Sequence, residues 1–246
     1  MSPGERPEPR RLGRWLIAAA CVGVVASGAI ALTYSPIFRA RSILVDGTGS
    51  LGERRLLRLA GIRMGDNVFH LDTHGVQRRL ERDTRIEHAT VSRRLPSTIA
   101  ISVVERIPVA VVADPLGTTT LLVSGDGATL GPATEADRLP LLARAGGGPA
   151  DPGSLGTSAA ASAAMPAALR AQVETILMLA DGSLRLAMRS GVLVSYGPPV
   201  DLPAKARSAQ ALLDWAVEQR KALTSIDVSV PGAPTATLAG GGVPVV

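Results

Sequence analysis

The chain predicts an α+β fold carried on a single transmembrane helix, and three observations predict it. Trp15 to Tyr34 is a 20-residue run without a charge. Beyond it, segments of period-2 alternation follow segments of helical spacing, with Gly, Pro and Asp at the breaks. The composition supports a packed core, because 46% of the 246 residues are hydrophobic and only 19% are charged.

The uncharged run comes first. As a helix rising 1.5 Å per residue it spans about 30 Å, the hydrocarbon thickness of a bilayer. Leu16, Ile17, Val22, Val24, Val25, Ile30 and Leu32 are its strongly apolar members. Arg10, Arg11 and Arg14 precede it. The positive-inside rule then keeps residues 1–14 as a cytoplasmic tail and places the bulk of the chain outside the cytoplasm. The expectation is a single-pass plasma-membrane protein with 15–34 in the lipid. Ala29-Ile30-Ala31 fits a signal-peptide cleavage pattern, but a signal core is about 7–15 apolar residues, and this run is longer. A retained anchor is therefore the preferred reading. Ala19, Gly23, Ser27 and Ala31 put a small residue at every fourth position, the spacing of a transmembrane packing seam. Cys21 is the only cysteine, so no intrachain disulfide and no Cys-based zinc site is possible.

A first soluble unit follows over residues 37–107. Ser42 to Asp46 is rich in β-formers. Leu51 to Ala60 has helical spacing, with Leu56, Leu57 and Ala60 facing inward and Gly61 as its stop. Asp72 is placed to cap a helix over Thr73 to Arg82, with Val76 and Leu80 inward. Ala89 to Arg93 and Thr98 to Val103 alternate about a Leu95-Pro96-Ser97 turn. The order is β-α-α-β-β, which packs two helices on one face of a three-stranded sheet.

The second unit, residues 108–230, reads as a mixed β domain with helices. Strands are expected at Val109–Ala113 and Thr119–Val123, joined through the Gly125-Asp126-Gly127 turn. Leu139 to Leu142 is a short apolar stretch. Residues 146–164 are mostly Gly, Pro, Ala and Ser, the composition of a mobile loop. Pro166 opens an expected helix over Ala167–Leu179, with Leu169, Val173, Ile176 and Leu177 on one face. Leu184–Arg189 and Val192–Tyr196 form a hairpin. Asp201 caps a helix reaching about Gln219, and Leu223–Val230 returns as a strand. The segment 231–246 is Pro/Gly-rich and reads as a flexible tail.

Charge excludes several function classes. The net charge is +5. Residues 1–14 carry +2, residues 39–107 carry +5, and residues 108–246 carry −2. No block of five or six like charges occurs, and only 2% of residues are aromatic. A nucleic-acid platform, which stacks bases on rings beside a basic groove, is not expected. Membrane lipid or an anionic wall polymer near residues 39–107 is the fitting polyanion.

Two patterns imitate chemistry. Gly47-Thr-Gly49-Ser-Leu-Gly52, with Asp72 twenty residues on, has the spacing of a dinucleotide fingerprint. The short helix and the missing parallel α/β alternation oppose that reading. His70, Asp72 and His74 alternate like metal ligands, but a capping Asp72 with surface histidines is the preferred account. No nucleophile elbow, Walker loop or Ser-x-x-Lys occurs in the sequence. No catalytic residue, cofactor or metal is expected.

The first soluble unit resembles the POTRA domain of the bacterial cell-division family FtsQ/DivIB. The matching pieces are Ile43–Gly47, Gly65–Asp72, Ile86–Pro96 and Val104–Ala110, the last two being the most specific. Thr84 and Arg85 stand where the family usually has proline. The second unit resembles the family's β domain at Leu121–Gly131, Leu139-Pro140, Leu184–Gly197, Lys205 and Ile226–Val230. The resemblance implies a non-enzymatic divisome scaffold acting in septum formation. Its POTRA surface and an exposed C-terminal edge strand, Ile226, Asp227, Val228, Ser229 and Val230, would bind division proteins of the FtsB/FtsL type. Glu105-Arg106 would fix the joint between the two domains. The alternative is a membrane-anchored envelope enzyme acting on peptidoglycan.

Overall fold

The structure is a computed structural model describing residues 9–47, 49–114, 118–134, 138–147 and 151–239. The chain divides into two compact units, Met1–Glu105 and Arg106–Val246.

The first unit opens with helix α1 (Pro9–Thr33). Every described side chain from 18 to 32 is exposed. Val22, Val24, Val25, Ile30 and Leu32 among them are 62–72% exposed. Among the described residues no helix is long and apolar enough to cross a membrane, so the predicted span at 15–34 is present as an exposed helix only.

The rest of this unit has the expected β-α-α-β-β order. Its elements are β1 (Ser42–Asp46), α2 (Glu53–Ala60), α3 (Thr73–Leu80), β2 (Ile86–Arg94) and β3 (Thr98–Glu105). The sheet order is β1-β3-β2. β1 runs parallel to β3, and β2 runs antiparallel to it. A parallel pair needs a long crossover, and α2, α3 and β2 together supply it. The helices cover one face of the sheet. Leu56, Ala60, Val76, Leu80, Ile86, Ala89, Ile99 and Ile101 form its buried core. Gly61 ends α2 in the left-handed conformation and its N–H closes on Leu57 and Arg58. The Asp72 carboxylate caps α3 by accepting from the Gly75 N–H at 2.9 Å.

The second unit is one mixed sheet of nine strands among the described residues. They are β4 (Pro108–Ala113), β5 (Thr120–Ser124), β6 (Thr129–Pro132), β7 (Leu141–Arg144), β8 (Val173–Met178), β9 (Leu184–Met188), β10 (Leu193–Gly197), β11 (Leu223–Asp227) and β12 (Thr235–Leu238). The order is β12-β11-β10-β9-β8-β7-β4-β5-β6. Helices α4 (Pro152–Ala163), α5 (Ala167–Gln172) and α6 (Leu202–Glu218) complete it.

Four expectations change here. The stretch read as a mobile loop at 146–164 contains α4, with Asp151 as its cap and Ser158, Ala159, Ala161 and Ser162 buried. This helix packs through small side chains, and the Ser162 hydroxyl donates to the Val109 carbonyl at 2.6 Å. The helix expected over Ala167–Leu179 stops at Gln172, and the chain continues as β8 between β7 and β9. Val173, Ile176 and Met178 are buried on this strand, and their spacing imitates a helix face. Asp201 does precede α6, but in a left-handed conformation without a side-chain cap bond. Finally, the expected flexible tail at 231–246 holds β12, paired antiparallel to β11 from Thr235 to Leu238. Residues 240–246 of that tail lie outside the described ones.

A strand and a flexible tail respond differently to a charge. Ala236 is 1% exposed. Ala236→Asp should therefore cost the second unit about 3 kcal/mol, the scale for an unpaired buried charge. Urea unfolding followed by circular dichroism reads this, and a tail would leave the midpoint unchanged.

Candidate partner-binding edge

The C-terminal side of the large sheet is built by three strands and α6. The end of β10 is fixed by a buried cation. Lys205, fully buried, reaches from the first turn of α6 and donates through Nζ to the carbonyls of Tyr196 at 2.9 Å and Pro198 at 2.6 Å. Burial pulls this ammonium below its ordinary range, while Asp201 and Asp227 oppose that shift. The Tyr196 hydroxyl donates to the Leu202 carbonyl at 3.1 Å, and burial holds its pKa well above the usual tyrosine value. α6 and β10 are thus joined at both sides of the 198–201 turn.

β11 lies parallel to β10, with Ile226 opposite Val194. The Val228 N–H continues that pairing to the Ser195 carbonyl at 2.9 Å. The chain then turns. The Asp227 carboxylate accepts from the Ser229 N–H at 2.8 Å and the Ser229 hydroxyl at 2.6 Å. The Ser208 hydroxyl of α6 donates to the Pro231 carbonyl at 3.1 Å. β12 follows, opposite β11 with Ala236 facing Ile226.

The residues expected at the free edge, Ile226, Asp227, Val228, Ser229 and Val230, therefore do not form one. Ile226 and Asp227 belong to an interior strand, Ile226 and Val228 are buried, and Ser229 and Val230 lie in the turn. Only Val230 is a large exposed apolar residue in that set. Sequence reasoning missed Thr235–Leu238 because Pro and Gly flank a strand of only four residues.

The edge of this sheet is β12. The Ala239 N–H donates inward to the Ala222 carbonyl at 2.8 Å. By alternation the backbone groups of Thr237 and Thr235 also face β11, and those of Ala236 and Leu238 face the open side. The strand Thr-Ala-Thr-Leu contains neither charge nor proline. The opposite edge, β6, ends in Gly131-Pro132, a residue pair that blunts pairing. Among the described residues no further strand pairs with β12.

The chemical motifs take other roles. In the Gly47–Gly52 motif, Thr48 lies outside the described residues. Gly47 has φ +79°, and a Cβ there would run into the Val103 backbone carbonyl. The loop amides that would cradle a phosphate hold Glu105 instead. Its carboxylate accepts from the Ser50 N–H at 2.8 Å, the Ser50 hydroxyl at 2.7 Å and the Leu51 N–H at 3.1 Å. Arg106 pairs with Asp126 at 2.9 Å, so each member of the Glu105-Arg106 pair is engaged inside its own unit. His70 contacts Thr33 and Tyr34, Asp72 caps α3, and His74 is an exposed residue of α3. Among the described residues no group of three His, Cys, Asp or Glu is gathered for a metal. Ala19, Gly23, Ser27 and Ala31 are all exposed on α1, where the Ser27 hydroxyl donates to the Gly23 carbonyl at 2.7 Å.

A small α/β unit with β1-β3-β2 order before a large mixed sheet defines a class, the POTRA-domain proteins. The family model "POTRA domain, FtsQ-type" matches residues 38–106. The chain is 34% identical over 223 residues to the cell division protein FtsQ of Mycolicibacterium smegmatis, covering 89% of this chain and 64% of that one. It is 30% identical over 241 residues to the cell division protein FtsQ of Streptomyces collinus, covering 93% of this chain and 89% of that one. The chain belongs to the FtsQ cell-division protein family. The extracytoplasmic domain of the division protein DivIB from Geobacillus stearothermophilus has a TM-score of 0.35 at 20% identity, covering 46% of this chain and 92% of that one. That likeness is too distant to carry weight.

Two measurements test this geometry. Lys205→Met strands the Tyr196 and Pro198 carbonyls, and should cost about 2 kcal/mol in urea unfolding, the scale for buried acceptors left unmade. Glu105 gives a pH signature. Partial burial would raise its carboxyl, but hydrogen bonds from the Ser50 hydroxyl and from the Leu51, Ser50 and Gly49 amides hold it below the ordinary range. With its folded pKa below the unfolded value of about 4.3, it stabilises the fold above that pH. The contribution is lost as pH falls through the folded pKa. Glu105→Gln should flatten that part of the acid limb in thermal melts, leaving the share due to Glu81 and Asp83.

Proposed function

We propose that the chain is a non-enzymatic scaffold of the cell-division machinery that recruits partners by strand addition to β12. The observation that carries this reading is the uncharged, proline-free edge with two residues' backbone groups turned outward. An extended segment of a partner can satisfy those groups while its side chains read the flanking surface. Partners of the FtsB/FtsL type suit the family resemblance. The 226–230 segment then supports the edge from behind. The family membership speaks for division and septum formation. The enzyme alternative needs a catalytic pair, which the sequence does not offer, and the Glu105 carboxylate accepts from the Ser50 and Leu51 amides.

The same reading takes α1 as a membrane anchor with the N-terminus in the cytoplasm. Its support is the 20-residue uncharged run, the arginines before it, and the exposure of Val22 to Leu32. Leu16 and Ile17, which complete the run, are not among the described side chains. An apolar helix without protein cover is stable where lipid covers it. On this account Ala19, Gly23, Ser27 and Ala31 serve as a packing seam for another membrane helix.

Leu238→Pro removes one outward N–H while leaving the inward-facing amides of Thr237 and Ala239 in place. It should weaken capture of an FtsB/FtsL-type partner from detergent-solubilised membranes roughly tenfold, the equivalent of about 1.4 kcal/mol. Capture at the unaltered level would reject strand addition here.

A further inference from the structure

The first unit gathers exposed arginines at one end of its strands. At one end the register sets Ser42 and Arg94 on either side of Thr98. At the other it sets Asp46 opposite Ser102 and Ile86 opposite Glu105. Arg41, Arg93 and Arg94 are exposed at the first end. Asp46, Glu87 and Glu105 lie at the second, together with Arg85 and the Arg55–Asp83 pair.

The basic end is the one stitched to α1. The Asn67 side chain donates to the Thr33 carbonyl at 2.9 Å, and His70 Nε2 lies 2.9 Å from the Thr33 hydroxyl. The Tyr34 ring stacks on His70 at 4.4 Å, and Phe38 meets Phe69 at 5.5 Å. The Val68 N–H donates to the Phe38 carbonyl and the Ala40 N–H to the Asp66 carbonyl, both at 2.8 Å. The Arg41 N–H reaches the Ser97 carbonyl of the β2–β3 turn at 2.9 Å, and the Arg93 guanidinium donates to the Phe69 carbonyl at 2.5 Å. The helix end therefore has a fixed exit from the domain. The two carboxylates nearby are occupied by backbone, Asp66 by the Arg63 N–H and Asp72 by the Gly75 N–H.

Aromatic residues are scarce, six in the chain, yet Tyr34, Phe38 and Phe69 gather at this exit. Trp15 stands near the start of the same helix. Tyr34, Ile37 and Leu95 are 67%, 55% and 55% exposed. Rings at both ends of an apolar run, with arginines beside apolar tips, are the pattern of residues seated at a membrane interface.

We propose that the end of the domain bearing Arg41, Arg93, Arg94, Tyr34, Ile37 and Leu95 rests on the headgroup layer beside the helix and recognises anionic phospholipid. This rests on α1 being the membrane anchor. The guanidinium groups meet lipid phosphates while the apolar tips enter the acyl boundary. The contact holds the domain upright on its stalk, with the end bearing Asp46 and Glu87 outward.

The test uses the full chain with Cys21→Ser and one new cysteine carrying a nitrobenzoxadiazole probe, at Ala18, Leu95 or Glu87. The proteins are reconstituted in vesicles of phosphatidylcholine alone or mixed equally with phosphatidylglycerol, and quenched by nitroxide lipids. The Leu95 probe should be quenched roughly twofold more than the Glu87 probe in the anionic vesicles. That excess should vanish in the Arg41→Ser/Arg93→Ser/Arg94→Ser variant. Equal quenching at Leu95 and Glu87, with Ala18 deeply quenched, overturns the proposal alone and leaves this end to a protein partner. Equal quenching at Leu95 in both vesicle types overturns the recognition of anionic lipid. An unquenched Ala18 probe overturns the anchor reading and this inference together.

Discussion

A single ammonium sets the geometry of the sheet's C-terminal side. Lys205 Nζ, enclosed by protein, neutralises the carbonyl ends of β10 and the turn after it. Removing that donor would leave buried acceptors short of a partner, a costly state. Satisfying them fixes α6 against β10. That in turn sets the level at which β11 enters, parallel to β10, and the turn from which β12 returns. The outward face of β12 is thus the last consequence of a contact far behind it in sequence.

A free edge is a liability. Natural sheets protect free edges with charge, proline or bulges, because unpaired backbone groups invite any extended chain. β6 is protected in this way by Gly131-Pro132, whereas the four residues of β12 carry neither charge nor proline. On the reading proposed above such an edge has a use, since backbone pairing needs few aromatic anchors. This chain has six aromatic residues, and Tyr196 is buried in the core while three others gather at the exit of α1. Recognition by main chain fits that composition better than recognition by aromatic pockets.

The first unit was readable from its residues because each element there is amphipathic in one period only. Leu56 and Ala60, then Val76 and Leu80, mark helix faces, while β3 alternates as Ile99, Ile101 and Val103. The second unit hides its elements in two ways. β8 sets apolar residues on both of its faces, so Val173, Ile176 and Leu177 mimic helical spacing. α4 has one large apolar residue, Leu155, and otherwise packs by close approach of Ala159, Ala161 and Ser162. The candidate site was half legible. The strand at 223–227 and the helix carrying Lys205 could be read, but the four residues that cover that strand could not. Local composition at Pro231–Pro234 signals a turn, and nothing local says that a strand follows.

The central claim is that partners add to β12 and not to the 226–230 segment. Site-specific photo-crosslinking in living cells, from probes at Leu238 and at Asp227, tests it most directly. The account predicts that the Leu238 probe captures a division-protein partner and that the Asp227 probe does not. Capture from Asp227 with none from Leu238 would contradict it.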